Sequence, residues 1–150
     1  MKLPFVFTVA VAAFSLSAAS AQSESHEGTY QKNLTYKGPV TGDEILYTLY
    51  LPPGHSKDAG PYPLVIFLHG AGGGNSSFEV MQSYEAARKA GLIGDAIFMF
   101  PEKYGGTVWR DGAKDKNAET NVLKELLPYL EQAHGATTDR EQRTIMGFSM

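Results

Sequence analysis

The residues best suited to chemistry occupy positions 147–150, which read Gly-Phe-Ser-Met. They directly follow the apolar run at 144–146, which is typical of a buried strand. A serine framed by small residues at the end of a strand is typical of a nucleophile elbow, a tight and strained turn that raises the hydroxyl above the edge of a sheet. The spacing therefore predicts that Ser149 is the nucleophile of an acyl-transfer reaction.

Two other Gly-x-Ser triplets limit what this motif can prove, because such triplets arise by chance about once in 200 positions. The triplet ending at Ser56 lies in a turn after two prolines, and the triplet ending at Ser76 belongs to a glycine-rich loop. Only Ser149 has a strand pattern leading into it. Ser149 is therefore the favoured nucleophile, and an ordinary serine without a catalytic role is the alternative.

The second part of the predicted site is the glycine-rich loop at 69–75, His-Gly-Ala-Gly-Gly-Gly-Asn, which follows the apolar run at 63–68. Glycine adopts backbone conformations forbidden to other residues, so such a loop can expose backbone N–H groups. In acyl transfer the carbonyl oxygen gains negative charge, and each preorganised N–H donor aimed at it accelerates the reaction about 100- to 1000-fold. We expect the N–H groups of Ala71 and Met150 to form this oxyanion hole.

The glycine loop has two alternative uses, a nucleotide site and a purely structural turn. A P-loop needs Gly-Lys followed by Ser or Thr, whereas Gly74 is followed by Asn75. A dinucleotide fingerprint needs Gly or Ala at the position where Asn75 stands. The sequence therefore disfavours a nucleotide, and the structural turn stays open as the alternative.

The loop and the pocket around the serine have five further candidate residues, which are His69, Gly70, Gly72, Glu102 and Trp109. His69 stands at a strand end, so we expect it to orient the loop rather than to act as a catalytic base. The segment 102–116 follows another predicted strand and should lie at the catalytic rim of the sheet. Trp109 in this segment suits a sugar or a phenolic ester, or else it anchors the loop. Glu102 is either a pocket carboxylate or a solvated loop residue.

These residues need a scaffold that brings several strand ends together, and the hydrophobic pattern predicts one. Alternating apolar residues predict two antiparallel strands, and continuous apolar runs predict buried, parallel strands with helices between them. The sum is an α/β sheet, mostly parallel, with right-handed crossovers. The predicted strands are 30–36, 44–51, 63–68, 96–100 and 143–148, and the helices are 78–90 and the segment between Asn117 and Gly135.

The second predicted helix carries two local signals. Asn117 is a good N-cap residue, because its side chain can accept a hydrogen bond from the first turn. Pro128 lies inside the apolar stripe of the helix, where it removes a backbone hydrogen bond. We therefore expect a kink or a broken turn near Pro128.

The composition supports a packed core and narrows the range of functions. The chain has 150 residues, is 43% hydrophobic and carries a formal charge of −3, which gives no electrostatic case for nucleic acid. The absence of cysteine excludes a disulfide framework, a thiol nucleophile and a cysteine-ligated zinc site in these residues. We expect neither a metal nor a cofactor, and the sequence indicates no oligomeric state.

The first 21 residues have the features of a secretory signal peptide. Lys2 supplies the positive start, residues 3–16 are largely apolar, and residues 19–21 read Ala-Ser-Ala, a small-x-small cleavage site. The apolar stretch is too short for a membrane-spanning helix. We therefore expect a secreted or periplasmic protein without a membrane anchor after cleavage, in which residues 22–150 are the N-terminal part of one domain.

With these motifs placed, the chain resembles the putative esterase family of α/β-hydrolases from about residue 46 to residue 150. That family includes feruloyl esterases, acetylxylan esterases, S-formylglutathione hydrolases, enterochelin esterases and mycolyl transferases. The Pro128 that disturbs the helical pattern is a usual feature of the corresponding helix in the family. The resemblance rests on residues 50–54, 63–70, 125–130, 138–140 and 147–150, of which the last is the most specific.

The resemblance implies an α/β-hydrolase fold, truncated at the nucleophile elbow, and a serine esterase mechanism. Ser149 would attack the ester carbonyl, and Ala71 and Met150 would supply the oxyanion donors. In this fold the acid and the histidine follow the serine along the chain, so we expect both beyond residue 150. Residues 22–150 alone should then be inactive and should aggregate or stay poorly ordered, because the strand ending at the serine would be an unpaired edge.

The substrate class follows from the resemblance and from the predicted export. We expect a small-molecule or carbohydrate ester, such as a feruloyl or acetyl ester of plant cell-wall carbohydrate. A non-catalytic relative that binds carbohydrate or a protein partner is one alternative. An acyltransferase that uses the same serine and a sugar acceptor is another.

Overall fold

The computed structural model describes residues 27–71, 76–102, 108–112 and 117–150. The described residues form a five-stranded sheet with the strand order β1-β2-β4-β3-β5. In this part of the chain, the helices are too short or too polar to cross a membrane. The strands are β1 (Thr29–Lys37), β2 (Glu44–Leu51), β3 (Leu64–Leu68), β4 (Ile97–Pro101) and β5 (Arg143–Gly147).

The sheet is mixed, and it combines the predicted N-terminal antiparallel pair with predicted parallel strands. Strand β2 pairs antiparallel with both β1 and β4, whereas β3 pairs parallel with β4 and with β5. Strand β2 is therefore the one described strand that runs against the others, and it forms the predicted antiparallel pair with β1. The carboxyl ends of β3, β4 and β5 consequently meet at one edge of the sheet, where α/β proteins bind their ligands.

Helices cover both faces of the sheet because successive strand residues alternate between the faces. On one face, Phe67 and Phe98 pack against Met81 and Tyr84 of helix α1 (Ser76–Lys89). On the other face, a larger core packs against a second helical region. That region comprises α2 (Ala118–Thr120), a π-helical segment (Asn121–Leu126) and α3 (Leu127–His134).

The predicted disturbance at Pro128 takes the form of a π-helical turn. The Leu127 N–H donates to the Val122 carbonyl, five residues back instead of four. Pro128 has no N–H to continue the ordinary pattern, and it lies in the first turn of α3, where this is tolerated. The helix then ends at Gly135, whose φ of 66° is left-handed and suits glycine.

The predicted cap of the second helical region is wrong. Asn117 occupies the N-cap position but makes no capping hydrogen bond with its side chain, and its Nδ2 lies 3.2 Å from the Asp43 carboxylate. Asp111 caps the helix instead, because its Oδ1 accepts from the N–H groups of Glu119 and Thr120 at 2.9 and 3.0 Å. The hydrogen bond from the Thr120 hydroxyl, followed by these backbone bonds, lowers the pKa of Asp111.

Candidate active site

Ser149 lies in a sharp turn immediately after β5. Its φ is 67°, a left-handed value that is uncommon for a residue with a side chain. The Met150 N–H donates to the Phe148 carbonyl at 2.7 Å, which closes a three-residue turn around the serine. The Phe148 N–H is held by the Leu68 carbonyl at 3.1 Å. The serine therefore occupies a strained backbone position that the end of β3 holds in place.

The turn depends on a small residue before it. A Cβ added to Gly147 would lie 3.1 Å from the backbone oxygen of Leu68, which is closer than most Cβ atoms lie to a neighbouring atom. Glycine lets β5 run close against β3 at this point. The local reason for the Gly-x-Ser spacing is thus the close approach of two strands.

The glycine loop meets the serine turn at Gly70. A Cβ added to Gly70 would lie 3.0 Å from the Ser149 Cβ and 3.1 Å from the Phe148 carbonyl oxygen. The sheet register explains the contact, because β3 and β5 pair with a constant offset that sets Gly70 opposite Ser149. Ala71, the next residue, is exposed. Gly70 of the glycine loop and the motif at 147–150 are therefore neighbours in space.

His69 is the most buried polar residue of the site, with 2% of its surface exposed. Its Nδ1 lies 2.7 Å from the Gly70 carbonyl oxygen, and its Nε2 lies 3.3 Å from a carboxylate oxygen of Glu102. Nδ1 must carry a proton to donate to a carbonyl. The two ring nitrogens thus contact the loop backbone and Glu102, and the loop-orienting role stays a prediction.

Trp109 and Glu102 surround His69 from two further segments. The Trp109 Nε1 donates to the His69 carbonyl at 2.9 Å, and the two rings meet edge to face with centroids 5.0 Å apart. Trp109 also packs on the core and lines a cavity of about 220 Å³ with Leu68 and Ile145. Trp109 thus contacts the backbone of His69, and Glu102 is a partly buried carboxylate beside the His69 ring. The roles predicted for both residues stay predictions.

Sequence reasoning missed the pairing of His69 with Glu102, although the signal was present. Each residue is the first after its strand, β3 or β4, and these strands are parallel neighbours. The register pairs Leu64 with Ile97, and the same offset sets His69 opposite Glu102. The pairing could have been found from the two strand ends, had the order of the strands been known.

The remaining sequence candidates fall into three groups. Gly72 falls outside the described residues, and so does His26. His55 and His134 lie near the amino end of β3, at the opposite end of the parallel strands from Ser149. There the His55 Nε2 is 2.8 Å from the His134 carbonyl oxygen. Met150, the second expected oxyanion donor, uses its N–H in the turn around Ser149, so a substrate oxygen would have to replace the Phe148 carbonyl.

Known structures share this arrangement of strands. A ferulic acid esterase superimposes with a TM-score of 0.72 at 24% identity, over 83% of this chain and 52% of its own. A ferulic acid esterase from the anaerobic fungus Anaeromyces mucronatus, solved in complex with ferulic acid, gives 0.63 at 26% identity, over 86% and 52%. A feruloyl esterase module from Clostridium thermocellum, complexed with sinapinate, gives 0.62 at 18% identity, over 83% and 46%.

The chain spans about half the length of these solved structures. The sequence model described as "Putative esterase" matches residues 38–150, which is most of the chain and includes both the glycine loop and the serine turn. With the sheet order and the Gly70–Ser149 contact, this match identifies the fold as an α/β-hydrolase. The chain belongs to the putative esterase family.

Proposed function

We propose that this chain carries the nucleophile and the oxyanion side of a serine carboxylic ester hydrolase. The observation that supports this most is the contact of Gly70 with Ser149, which brings a glycine-rich loop against a serine in a left-handed turn. Exposed hydroxyls in such turns are the nucleophiles of α/β-hydrolases. Membership of an esterase family supports the same reaction class.

In the proposed reaction the Ser149 Oγ attacks the ester carbonyl carbon and gives up its proton to a histidine base. The carbonyl oxygen becomes an oxyanion, which the N–H groups of Ala71 and Met150 stabilise. The ester C–O bond then breaks, the alcohol leaves with the proton from the base, and water hydrolyses the acyl-enzyme. Both ring nitrogens of His69 are engaged elsewhere. We therefore assign the base, and the acid that orients it, to sequence that follows Ser149 in the full-length protein.

The proposal extends to the substrate, the cellular location and the domain layout of the protein. We propose a feruloyl or other acyl ester of a carbohydrate as the substrate. The ferulic acid complex of the fungal esterase, at 26% identity, supports this choice. The features of residues 1–21 support a signal peptide and a secreted or periplasmic enzyme. Residues 22–150 would then be the N-terminal part of one α/β-hydrolase domain.

The test is labelling of the full-length gene product with a fluorophosphonate, which reacts with an activated serine. Labelling should disappear in Ser149→Ala, because this change removes the nucleophile. Ser56→Ala is the matched control, since Ser56 also follows a Gly-x pair but is exposed in a turn. Its labelling should equal that of the unchanged protein.

Equal labelling of Ser149→Ala and the unchanged protein would remove Ser149 from this role. Complete absence of labelling in the unchanged protein would favour the non-catalytic alternative. For the substrate, turnover of feruloyl sugars should exceed that of aryl acetates in kcat/KM. Release of the acyl group to an added sugar rather than to water would identify an acyltransferase.

A further inference from the structure

The contact between His69 and Glu102 lies beside the proposed oxyanion loop and takes no part in the bond changes described above. We propose that these two side chains form a positioning pair, which fixes the direction of the Ala71 N–H, and this inference rests on the proposed ester hydrolase function. The imidazole links the loop backbone, through the Gly70 carbonyl, to the residue that follows β4. It does so from a fully enclosed position.

The geometry of one peptide group carries the argument. The Gly70 carbonyl and the Ala71 N–H belong to the same trans peptide, in which the C=O and N–H bonds point in opposite directions. Because the buried His69 ring holds the carbonyl oxygen at 2.7 Å, the Ala71 N–H points away from that ring, towards the exposed side of the loop. One hydrogen bond therefore sets the direction of the donor that the proposed mechanism needs.

The same peptide is fixed next to the nucleophile. Gly70 is in contact with the Ser149 turn, so rotation of its peptide would move a donor that lies beside the serine. A backbone donor stabilises an oxyanion only when its N–H is aimed at the oxygen before the charge develops. Loss of the His69 bond should therefore act on the transition state more than on substrate binding.

Glu102 and Trp109 hold the imidazole in the orientation that this role requires. The Glu102 carboxylate lies 3.3 Å from Nε2, and the backbone N–H of Glu102 is itself fixed by the Leu46 carbonyl at 2.9 Å. Trp109 holds the backbone of His69 through its carbonyl at 2.9 Å. The ring is thus fixed at Nε2, at its backbone and at Nδ1, and the bond at Nδ1 reaches the loop.

The experiment compares three variants of the full-length gene product, His69→Ala, His69→Asn and Glu102→Ala. His69→Ala should lower kcat at least about 10-fold and change KM by less than about 3-fold, because the misdirected donor would have stabilised the oxyanion only in the transition state. His69→Asn should restore most of kcat, since the asparagine Nδ2 can donate to the Gly70 carbonyl from nearly the same place as the imidazole Nδ1. Glu102→Ala should lower kcat about 3- to 10-fold, because the ring loses one of its supports.

The matched control is Glu79→Ala, which removes an exposed carboxylate from helix α1 and should leave kcat unchanged. The affinity for an aryl trifluoromethyl ketone, which forms an oxyanion adduct with a serine, should fall in parallel with kcat/KM across the series. The melting temperature shows whether each variant is folded. If His69→Ala does not fold, the comparison of kcat in Glu102→Ala and Glu79→Ala decides, because the Glu102 side chain is 29% exposed and we expect its truncation to leave the protein folded.

The outcomes separate this inference from the proposed function. Unchanged kcat in Glu102→Ala and in folded His69→Ala, with activity that still depends on Ser149, would overturn the positioning pair alone. Equal losses of kcat in folded His69→Ala and His69→Asn would also overturn it, because the hydrogen bond to Gly70 would then be irrelevant. A full-length protein without any Ser149-dependent activity would overturn both.

Discussion

At the scale of single residues, the site depends on positions where a side chain is absent. A Cβ at Gly147 would lie 3.1 Å from the Leu68 backbone, and a Cβ at Gly70 would lie 3.0 Å from Ser149, both tighter than most Cβ contacts. Ser149 itself carries the strain, because it adopts a left-handed φ that its neighbours impose. The strain is local, and it keeps the serine at the tip of a tight turn at the edge of the sheet.

Gly70→Ala tests this close approach. The new Cβ would lie 3.0 Å from the Ser149 Cβ and 3.1 Å from a backbone oxygen, so the elbow must shift. We expect fluorophosphonate labelling of the full-length protein to slow at least about 10-fold, because sub-ångström displacements at a reacting centre are costly. The free energy of unfolding should fall by about 1–3 kcal/mol, as for other overpacked sites.

The control for Gly70→Ala is Gly94→Ala. A Cβ at Gly94 would meet nothing within 4 Å, and the φ of Gly94 lies outside the left-handed range. Labelling and urea unfolding should both match the unchanged protein, to within about 0.5 kcal/mol for stability. Normal labelling in Gly70→Ala would show that the loop does not press on the serine turn.

At the scale of elements, the π-helical segment of the second helical region contacts the turn between β1 and β2. Glu125, in this segment, is 1% exposed. Its Oε1 accepts from the N–H groups of Val40 and Thr41 at 2.9 and 2.6 Å, and from the Thr41 hydroxyl at 2.9 Å. Gly38 makes room for it, because a Cβ there would lie 2.5 Å from the same oxygen.

Glu125→Ala should destabilise the protein by about 2–4 kcal/mol, because three donors in the turn lose their acceptor inside the protein. Glu125→Gln keeps the acceptor oxygen and should cost about 1 kcal/mol. Urea unfolding of the full-length protein measures both values, with exposed Lys124→Ala as the control, expected within about 0.5 kcal/mol. A loss in Glu125→Ala no larger than in the control would mean that the turn finds its partners elsewhere.

At the scale of the whole molecule, the two ends of the parallel strands have different characters. Gly70, His69, Glu102 and Ser149 lie at the carboxyl ends. His55 and His134 lie at the amino ends, with rings 6.2 Å apart. Burial, and then the proximity of His55, lower the pKa of His134. This occurs even though the C-terminus of a helix, where His134 lies, favours a positive charge.

This arrangement predicts that stability falls as the pH is lowered. The unfolded chain takes up the proton of His134 near pH 6.5, whereas the folded chain takes it up only at a lower pH. The free energy of unfolding should therefore decline as the pH falls through about 6.5 towards the folded pKa, and no further loss from this group follows below that pKa. Urea unfolding at a series of pH values measures the decline.

His134→Gln should flatten this part of the profile and leave the labelling of Ser149 at pH 7.5 unchanged, because the two sites lie at opposite ends of the strands. The same slope in His134→Gln and the unchanged protein would assign the decline to another group. Tyr129 and Tyr62 also face this histidine pair, with ring distances of 5.7 Å to His134 and 5.0 Å to His55. Both tyrosines stay intact in the variant.

Strand β5 and the residue after it carry exposed apolar side chains. Strand β5 lies at the edge of the described sheet, and Ile145 and Phe148 are 60% and 67% exposed. Edge strands with exposed apolar residues tend to associate. The expectation that residues 22–150 in isolation aggregate or stay poorly ordered stays a prediction.

Much of the fold could be predicted from local sequence. The apolar runs at 63–68 and 96–100 predicted β3 and β4 to within a residue or so, because a strand buried on both faces must be continuously apolar. The disturbance at Pro128 was also predicted, since a missing N–H acts within its own helix. The capping residue was not, because Asp111 reaches the helix from a preceding loop and not from the adjacent position.

By itself, the sequence determined which segments are strands and helices, and which serine and glycine loop are the candidates for chemistry, because these signals depend on neighbours along the chain. The tertiary structure decided which residues meet. Gly70 lies against Ser149, and His69 opposite Glu102, only because β3 is placed between β4 and β5 in a definite register. That register is set by packing on both faces of the sheet, so no single segment of the sequence contains it.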